Sequence, residues 1–491
     1  MGAIAGVMSI NEKWSAEEIL SVMTFRGTSS INSWKNKHGS LAGIGIAAIG
    51  ENPGPVEMKA GERAAVFDGH LINTAALVDD LKINNLSFES EAELVLGMYE
   101  LYGQAAFEKL EGHFSIGIID GERVLLARDH LGVRSLYYGF SNGNFAFASE
   151  IKALADTCTV VHALPRGTAL ISDEGIYPLG NYQPEPIALN NPQEWTDRLA
   201  ILLEEAVLTC APEGSEVGVW LSGGVDSSVV AALAQKLHGQ IHTFSVGLDG
   251  APDLKYAQRV AEHLGTNHHV RIYDFPAALK ILEEVIFHLE SFDGPLVRSA
   301  IGNYLVAQSA SDYVSFVYSG EGGDELFAGY SYQKDHTSPL ELTLSVQQAI
   351  AALHNTALQR VDRSAAAHQI RAGLPFLDPR VVRFALAIPP SLKIYGPDKI
   401  DKWPLRKAME ETLPAEIIWR KKAKFWEGTG AADLLIDYAE DQISDSDFMA
   451  ESNLGLEGRI RSKEELLFYR IYKDHFGNRV PLGEIGRTRH V

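Results

Sequence analysis

The stretch EVGVWLSGGVDSSVVAALAQKLHG, residues 216–239, decides how the second half of the chain folds. Val217–Leu221 is a short apolar run that stops at Ser222-Gly223-Gly224, and a helical apolar period begins near Asp226. A glycine turn between a strand and a helix lets the backbone approach phosphate oxygens. The helix N-terminus and the serine hydroxyls add donors aimed at an anion. Asp226 would repel a phosphate, so in this string it makes sense as a Mg²⁺ ligand bridging to pyrophosphate. A Ser/Asp cap after a glycine turn explains any one of these residues, but not the whole string between a strand and a helix.

Working outward, TDRLAILLEEAVLTC (196–210) reads as an amphipathic helix, IHTFSVGL (241–248) as a strand, LKYAQRVAEHLG (254–265) as a helix and HHVRIYD (268–274) as a strand. Strands alternating with helices of this length predict a doubly wound parallel sheet. From about residue 335 the pattern is mainly helical. Residues 1–180 differ in texture. Short runs such as SLAGIGIAAIG, FSIGIID, RVLLARD and FAFAS between Gly, Asn and Asp turns read as mostly β, with helical periods at Ala92–Tyr102 and Phe107–Glu111. The Pro- and Asn-rich segment GNYQPEPIALNNPQEW (180–195) reads as a linker, giving domains 1–180 and 196–491 joined by 181–195.

Composition narrows the partners. With 491 residues, 43 Lys+Arg against 64 Asp+Glu and a net charge of −21, the field repels phosphate backbones, so nucleic acid is not an expected partner. Two widely spaced cysteines, Cys158 and Cys210, suit a reducing compartment. No apolar run reaches the ~20 residues of a membrane span, and MGAIAGVMSI lacks the basic start of a signal peptide. A cytoplasmic enzyme without membrane contact is the expectation, with a homodimer open.

The LSGGVDSS string resembles the PP-loop of N-type ATP pyrophosphatases, and the residues beyond it resemble asparagine synthetases. HTFSVGLDGAPDLKYAQRVAEHLGTNHH (242–269) is similar to their adenine-side strand and helix. SFDGPLVRSA (291–300), SGEGGDELFAGY (319–330), LPFLD (374–378) and WRKKAKFWEGTG (419–430) stand in their expected places. The resemblance implies an N-terminal αββα, Ntn-hydrolase-like sandwich before the PP-loop domain. It implies ATP and Mg²⁺ as cofactors, with Asp226 and Asp324 holding the metal. Ser222, Gly223, Gly224, Ser227 and Ser228 would cradle phosphates, with Leu221, Val246, Gly247, Ser319 and Gly320 completing the ATP site. Asp293, Arg298, Gly323 and Asp324 would meet the substrate. Glu321 and Lys422 would be catalytic, Lys422 neutralising charge on the α-phosphate and the tetrahedral intermediate. A plain basic surface run with Arg420, Lys421 and Lys424 is the other reading of Lys422.

The first 180 residues resemble the glutamine amidotransferase half of those enzymes, with its chemistry removed. Where the family begins Met-Cys-Gly, this chain has Gly2, which has no thiol to attack glutamine. The oxyanion segment Asn-Gly-Glu-Ile-Tyr-Asn reads DGHLIN, placing the carboxylate of Asp68 where an amide donor is expected. No arginine lies between Arg26 and Arg63 to hold the glutamine carboxylate, and Glu91 replaces an aspartate. ARDHLGVRSLYYG (127–139) and FASEIKAL (147–154) still match, so the fold is expected to persist as a scaffold.

The nitrogen is then free ammonia or an amine on the substrate. SGEGGDE with Glu321 fits an ammonia-dependent asparagine synthetase. DKWPLRKAM (401–409), EGTG (427–430) and RAGLPFLD (371–378) look more like β-lactam synthetases, because Arg371 stands where asparagine synthetases keep a Glu that serves ammonia attack. That branch carries a Tyr where this chain has Glu321, so Glu321 or a neighbour such as Asp362 would have to accept the proton. The favoured expectation is intramolecular amide formation on a small amino-acid substrate, a monocyclic β-lactam of the tabtoxinine kind fitting best. A degenerate paralogue that only binds ATP is the remaining reading.

Overall fold

The computed structural model describes residues 2–8, 14–58, 61–83, 88–420, 432–454 and 459–488. Lys422 and the 427–430 stretch lie outside these described residues.

The N-terminal part is two six-stranded antiparallel sheets. The first runs, edge to edge, Val160–Ala163, Tyr137–Ser141, Asn144–Ala148, Ala3–Met8, Gly39–Ile44, Asn32–Lys35. The second runs Gly175–Pro178, Thr168–Ile171, Arg123–Arg128, Gly112–Asp120, Arg63–Leu71, Val56–Met58. Strand alternation sorts the side chains into layers. Ile4 joins Leu41, Val66, Ile119, Leu126 and Phe147 between the sheets, while Ala3, Ala5 and Val7 face out under Ile19 and Leu20 of the Ala16–Ser21 helix. On the other side, Phe67 and Phe114 pack beneath Leu94, Val95 and Met98 of the Glu91–Tyr102 helix, whose first turn Ser90 caps. The order helix–sheet–sheet–helix is the αββα sandwich that the resemblance implied.

The second part is a five-stranded parallel sheet ordered Asn267–Tyr273, His242–Leu248, Val217–Trp220, Phe316–Tyr318, Arg371–Gly373. Helices Pro192–Cys210, Val225–His238 and Pro252–Leu264 form one covering layer, and Leu282–Leu289, Gly294–Ala310 and Ala357–Ala366 the other. After this the chain is mainly helical, as its sequence pattern predicts. One boundary differs from the sequence reading. The helix begins at Pro192, inside the stretch read as linker, because Asn191 accepts a hydrogen bond from Glu194 N and Pro192 occupies the first turn.

Where the two parts meet, a buried ionic network lies within a continuous apolar core. The Arg26 guanidinium is 2.5 Å from Glu150 and 3.0 Å from Asp362. Arg363 is 3.0 Å from Asp362 and 2.9 Å from Glu290, and Lys152 is 3.0 Å from Glu290. Burial opposes ionisation of Asp362, but Arg26, Arg363 and Arg134 outweigh it and hold the carboxyl down at about 2. Asp362 therefore cannot be the proton acceptor that the sequence suggested. Three guanidiniums surround it, and it does not line the cavity at the ends of the parallel strands.

Candidate active site

The strands Val217–Trp220 and Phe316–Tyr318 each run into a glycine loop and then a helix, and the two loops lie side by side. Glycines make this approach possible. A Cβ on Gly320 would sit 2.8 Å from Ser227 N, and one on Gly323 would sit 2.6 Å from the Asp226 carboxyl. Gly223 has φ +71° and its Cβ would meet Ala257 N at 2.5 Å, so both space and conformation require glycine there. Within the first loop, Ser222 N donates to Ser227 Oγ (3.2 Å), and Gly224 N donates to Ser222 Oγ (3.3 Å).

The loops bring Asp226 and Asp324 to one cation. Lys402 Nζ is 2.5 Å from Asp226 Oδ2 and 2.5 Å from Asp324 Oδ1. Burial works against the lysine charge, yet the two carboxylates keep its pKa well above the ordinary range. Gly329 leaves room for the triad, since a Cβ there would fall 2.0 Å from Asp324 Oδ1 and 2.1 Å from Lys402 Cε.

This triad lines a cavity of about 190 Å³ at the carboxyl ends of the parallel strands, the usual place for a ligand in such a sheet. Of the residues singled out in the sequence, Leu221, Ser222, Gly224, Asp226, Ser227, Val246, Ser319, Gly320, Glu321 and Asp324 line it. Gly223, Gly247 and Gly323 stand behind the wall as spacers, and Ser228 is fully buried, its hydroxyl without a hydrogen-bond partner among the described residues. Asp293 and Arg298 are elsewhere. Asp293 caps the Gly294–Ala310 helix and accepts from Thr488 Oγ1 at 2.7 Å, while Arg298 is 3.4 Å from Glu464.

Several cavity residues escaped the sequence reading. Lys402 lies in DKWPLRKAM, a string noticed only as a resemblance. Arg360 forms an ion pair with Glu321. Arg420 donates to Gly223 O (3.2 Å), pairs with Asp253 at 2.5 Å and stacks over Tyr256. Burial pushes the Asp253 carboxyl up against that pairing. Arg371, expected to reverse the charge in the site, does not line the cavity. Its guanidinium donates to Cys210 O at 3.2 Å and lies over Phe316.

In the N-terminal part, Gly2 N donates to Asp68 Oδ1 (3.1 Å) and Gly2 O accepts from Arg26 Nε (2.8 Å). Burial raises the Asp68 carboxyl. Glu91 Oε1 accepts from Leu71 N at 2.7 Å and is 3.3 Å from His70 Nδ1. Neither cysteine supplies a thiol to this corner. Cys158 and Cys210 are free, and burial lifts each to about 11.

Comparison with known proteins places this geometry. The family model described as asparagine synthase matches residues 198–345 and 334–479, and the glutamine amidotransferase domain matches residues 1–170. Asparagine synthetase B [glutamine-hydrolyzing] of Escherichia coli (strain K12) is 30% identical, over 97% of this chain and 91% of that one. The chain belongs to the asparagine synthase family. Asparagine synthetase [glutamine-hydrolyzing] 3 of Arabidopsis thaliana is 32% identical over 84% of this chain and 75% of that protein. Members of the family are ATP-dependent amide-forming ligases that release AMP. Among the described residues no helix is long and apolar enough to cross a membrane.

Proposed function

We propose that this ligase adenylates a carboxylate of a small amino acid, releases pyrophosphate, and forms the amide without hydrolysing glutamine. The observation that carries the first half is the convergence of Asp226 and Asp324, from two separate loops, on one cation. Two carboxylates suit Mg²⁺, which takes few protein ligands and completes its shell with phosphate oxygens and water. Asp226 and Asp324 would hold the ion, and it would neutralise charge on the triphosphate. Ser222, Gly224 and Ser227 offer donors to phosphate oxygens, and Lys402 sets a fixed positive charge beside them. Lys422 follows Arg420 of the cavity wall by two residues and is assigned to charge on the α-phosphate.

The second half rests on Gly2. No nucleophile exists there, and a side chain has no room, since a Cβ would lie 2.5 Å from Ile44 O. Asp68 in the oxyanion position would repel a developing negative charge. With Gly2 lacking a nucleophile and Asp68 closed on its amide, the nitrogen is assigned to an amine of the substrate itself, closing a β-lactam-like ring. An amine attacks only when deprotonated, and Glu321, a cavity carboxylate paired with Arg360, is assigned to take the proton. Glu321 also supports a second reading, an ammonia-dependent asparagine synthetase, because the SGEGGDE string is intact.

A pyrophosphate-release screen separates the readings. It compares diamino dicarboxylic acids, aspartate plus ammonium, and no substrate, with products weighed by mass spectrometry. Loss of one water from a single substrate means ring closure. Asparagine formed at a useful rate from aspartate and ammonium rejects it. No pyrophosphate with any acid rejects both.

A further inference from the structure

Away from the glycine-loop cavity, the helical part buries a cation without a counter-charge. Lys393 ends the short Pro390–Lys393 helix and is 4% exposed. It lines a second cavity, of about 110 Å³, beside the Pro339–Ala352 and Pro379–Ala387 helices. The walls are mostly apolar, with Leu342 and Val346 on one side and Leu386 and Ile388 on another, and Lys393 is their one charged residue among the described residues. The ammonium makes no hydrogen bond or ion pair among the described residues, and it is not sealed from solvent, which leaves the cavity as its outlet. The charged side chains on the elements packed around it are committed elsewhere. Glu341 accepts from Thr337 N and Ser338 N, Arg380 pairs with Asp378, Arg383 with Glu111, Arg406 with Asp401 and Lys407 with Glu410. Tyr395 stacks on Trp403, and Glu185, next to Pro184 of the wall, does not line the cavity. Burial alone therefore acts on the Lys393 ammonium and pushes it down to about 7. Buried charges are almost always paired, so a cation left alone against an open cavity points to an anion that completes it.

We propose that this cavity binds a short aliphatic monocarboxylate, its carboxylate paired with the Lys393 ammonium and its chain against Leu342, Val346, Leu386 and Ile388. The site is separate from the glycine-loop cavity and does not depend on the ligase reading. One ammonium answers one carboxylate, and the apolar walls answer the chain. Phosphate or sulfate carries more charge and more oxygens than this lining satisfies. Beyond the lysine it holds only two polar side chains, the Gln347 amide at the exposed rim and the Thr343 hydroxyl, which already donates to Pro339 O at 2.9 Å. An α-amino acid would bring a second ammonium beside Lys393, so the substrate class assigned to the ligase is a poor fit here. Water alone would find few polar partners on these walls.

The test titrates butyrate into the full chain by calorimetry, with butyramide and inorganic phosphate as controls. One site of millimolar affinity, the scale for so small a ligand, is expected at pH 6 for butyrate alone. The amine must be charged to pair, and it loses its proton above about 7, so affinity should fall about tenfold per pH unit above that point. Lys393→Met keeps an unbranched side chain in the wall and removes the charge. It should weaken butyrate binding at least about tenfold and unfold at a higher temperature than the natural chain, because no unpaired charge is buried. Ala387→Leu narrows the cavity while keeping the lysine, and should weaken binding as well. No binding at pH 6, equal binding by Lys393→Met, affinity unchanged between pH 6 and pH 9, or phosphate or butyramide bound as tightly as butyrate each overturns the site. A lower unfolding temperature in Lys393→Met would reveal a partner for the lysine inside the fold and overturns it too.

Discussion

The glycine-loop cavity and the Gly2 corner are built from similar parts and end in opposite states. Each sets a glycine against an aspartate, with a cationic side chain in reach. In the cavity, Gly320, Gly323 and Gly329 remove side chains so that Asp226, Asp324 and Lys402 converge beside open volume. At the other corner, the Gly2 amide is spent on Asp68 and its carbonyl on Arg26, and Arg26 is in turn spent on Glu150 and Asp362. Charge that faces a cavity can act on a ligand, whereas charge closed on itself holds two domains together. The first arrangement opens on a cavity, and the second is taken up in structural contacts.

The sharpest way to break this contrast is to remove one carboxylate from each region. Asp226→Asn or Asp324→Asn should lower pyrophosphate release by about three orders of magnitude, the scale of losing a charge aimed at the reacting phosphates. The fold should survive, because the remaining carboxylate still pairs Lys402. Asp68→Asn should leave pyrophosphate release unchanged. Equal losses in both regions would mean that the N-terminal corner takes part in the chemistry.

Lys422→Met comes next. If this lysine contacts the developing charge, its loss should cost about 3–4 kcal/mol of transition-state stabilisation, a rate drop of about 10²–10³-fold. Normal turnover would return Lys422 to the surface-charge reading.

The interdomain network should answer in stability rather than in rate. Asp362→Asn leaves the buried cluster of Arg26, Arg134 and Arg363 one carboxylate short, and breaking such a network typically costs about 3–5 kcal/mol. The pH dependence has a definite sign. The Asp362 carboxyl sits at about 2 in the folded chain against 3.8 ordinarily, so its stabilisation is complete above pH 4 and is lost as pH falls toward 2. Chemical denaturation between pH 2 and pH 5 should show that slope in the natural protein and a flatter one in Asp362→Asn. Matching slopes would remove Asp362 from the network's energetics.

The parts of this molecule that could be read from the sequence are those whose cause is local. LSGGVDSS declares strand, turn and helix because each residue acts on its immediate neighbours, and SGEGGDE does the same. The parts that could not be read are carried by distance. Lys402 meets Asp226 across 176 residues, and Arg360 meets Glu321 across 39. Neither contact leaves a periodic trace. Arg371 shows the opposite failure. Its position in the string suggested a charge in the site, but a three-residue strand sends the guanidinium to the Cys210 carbonyl instead. Asp362 failed for a similar reason, since Arg26 and Arg134 from distant segments join the adjacent Arg363 around it. The linker was misjudged at its end because Asn-Pro reads as a turn when it is also a helix cap.

The smallest effect expected comes from placing a thiol at position 2. Gly2→Cys supplies a thiol but not the space for it, because its Cβ would lie 2.5 Å from Ile44 O at the end of the paired strands Ala3–Met8 and Gly39–Ile44. Overpacking of this kind costs about 1–3 kcal/mol, so a lower unfolding temperature is expected. Glutaminase activity is not, since Asp68 still faces the position where an oxyanion would form, and a carboxylate there opposes the charge that an amide donor would stabilise. Adding Asp68→Asn in the same chain removes the repulsion, but an arginine to hold the glutamine carboxylate is still missing between Arg26 and Arg63. Measurable glutaminase activity in Gly2→Cys alone would show that the corner had kept its machinery and lost only its nucleophile. Glutamine supporting pyrophosphate release in the natural chain better than an equal concentration of ammonium would overturn the contrast between the two regions altogether.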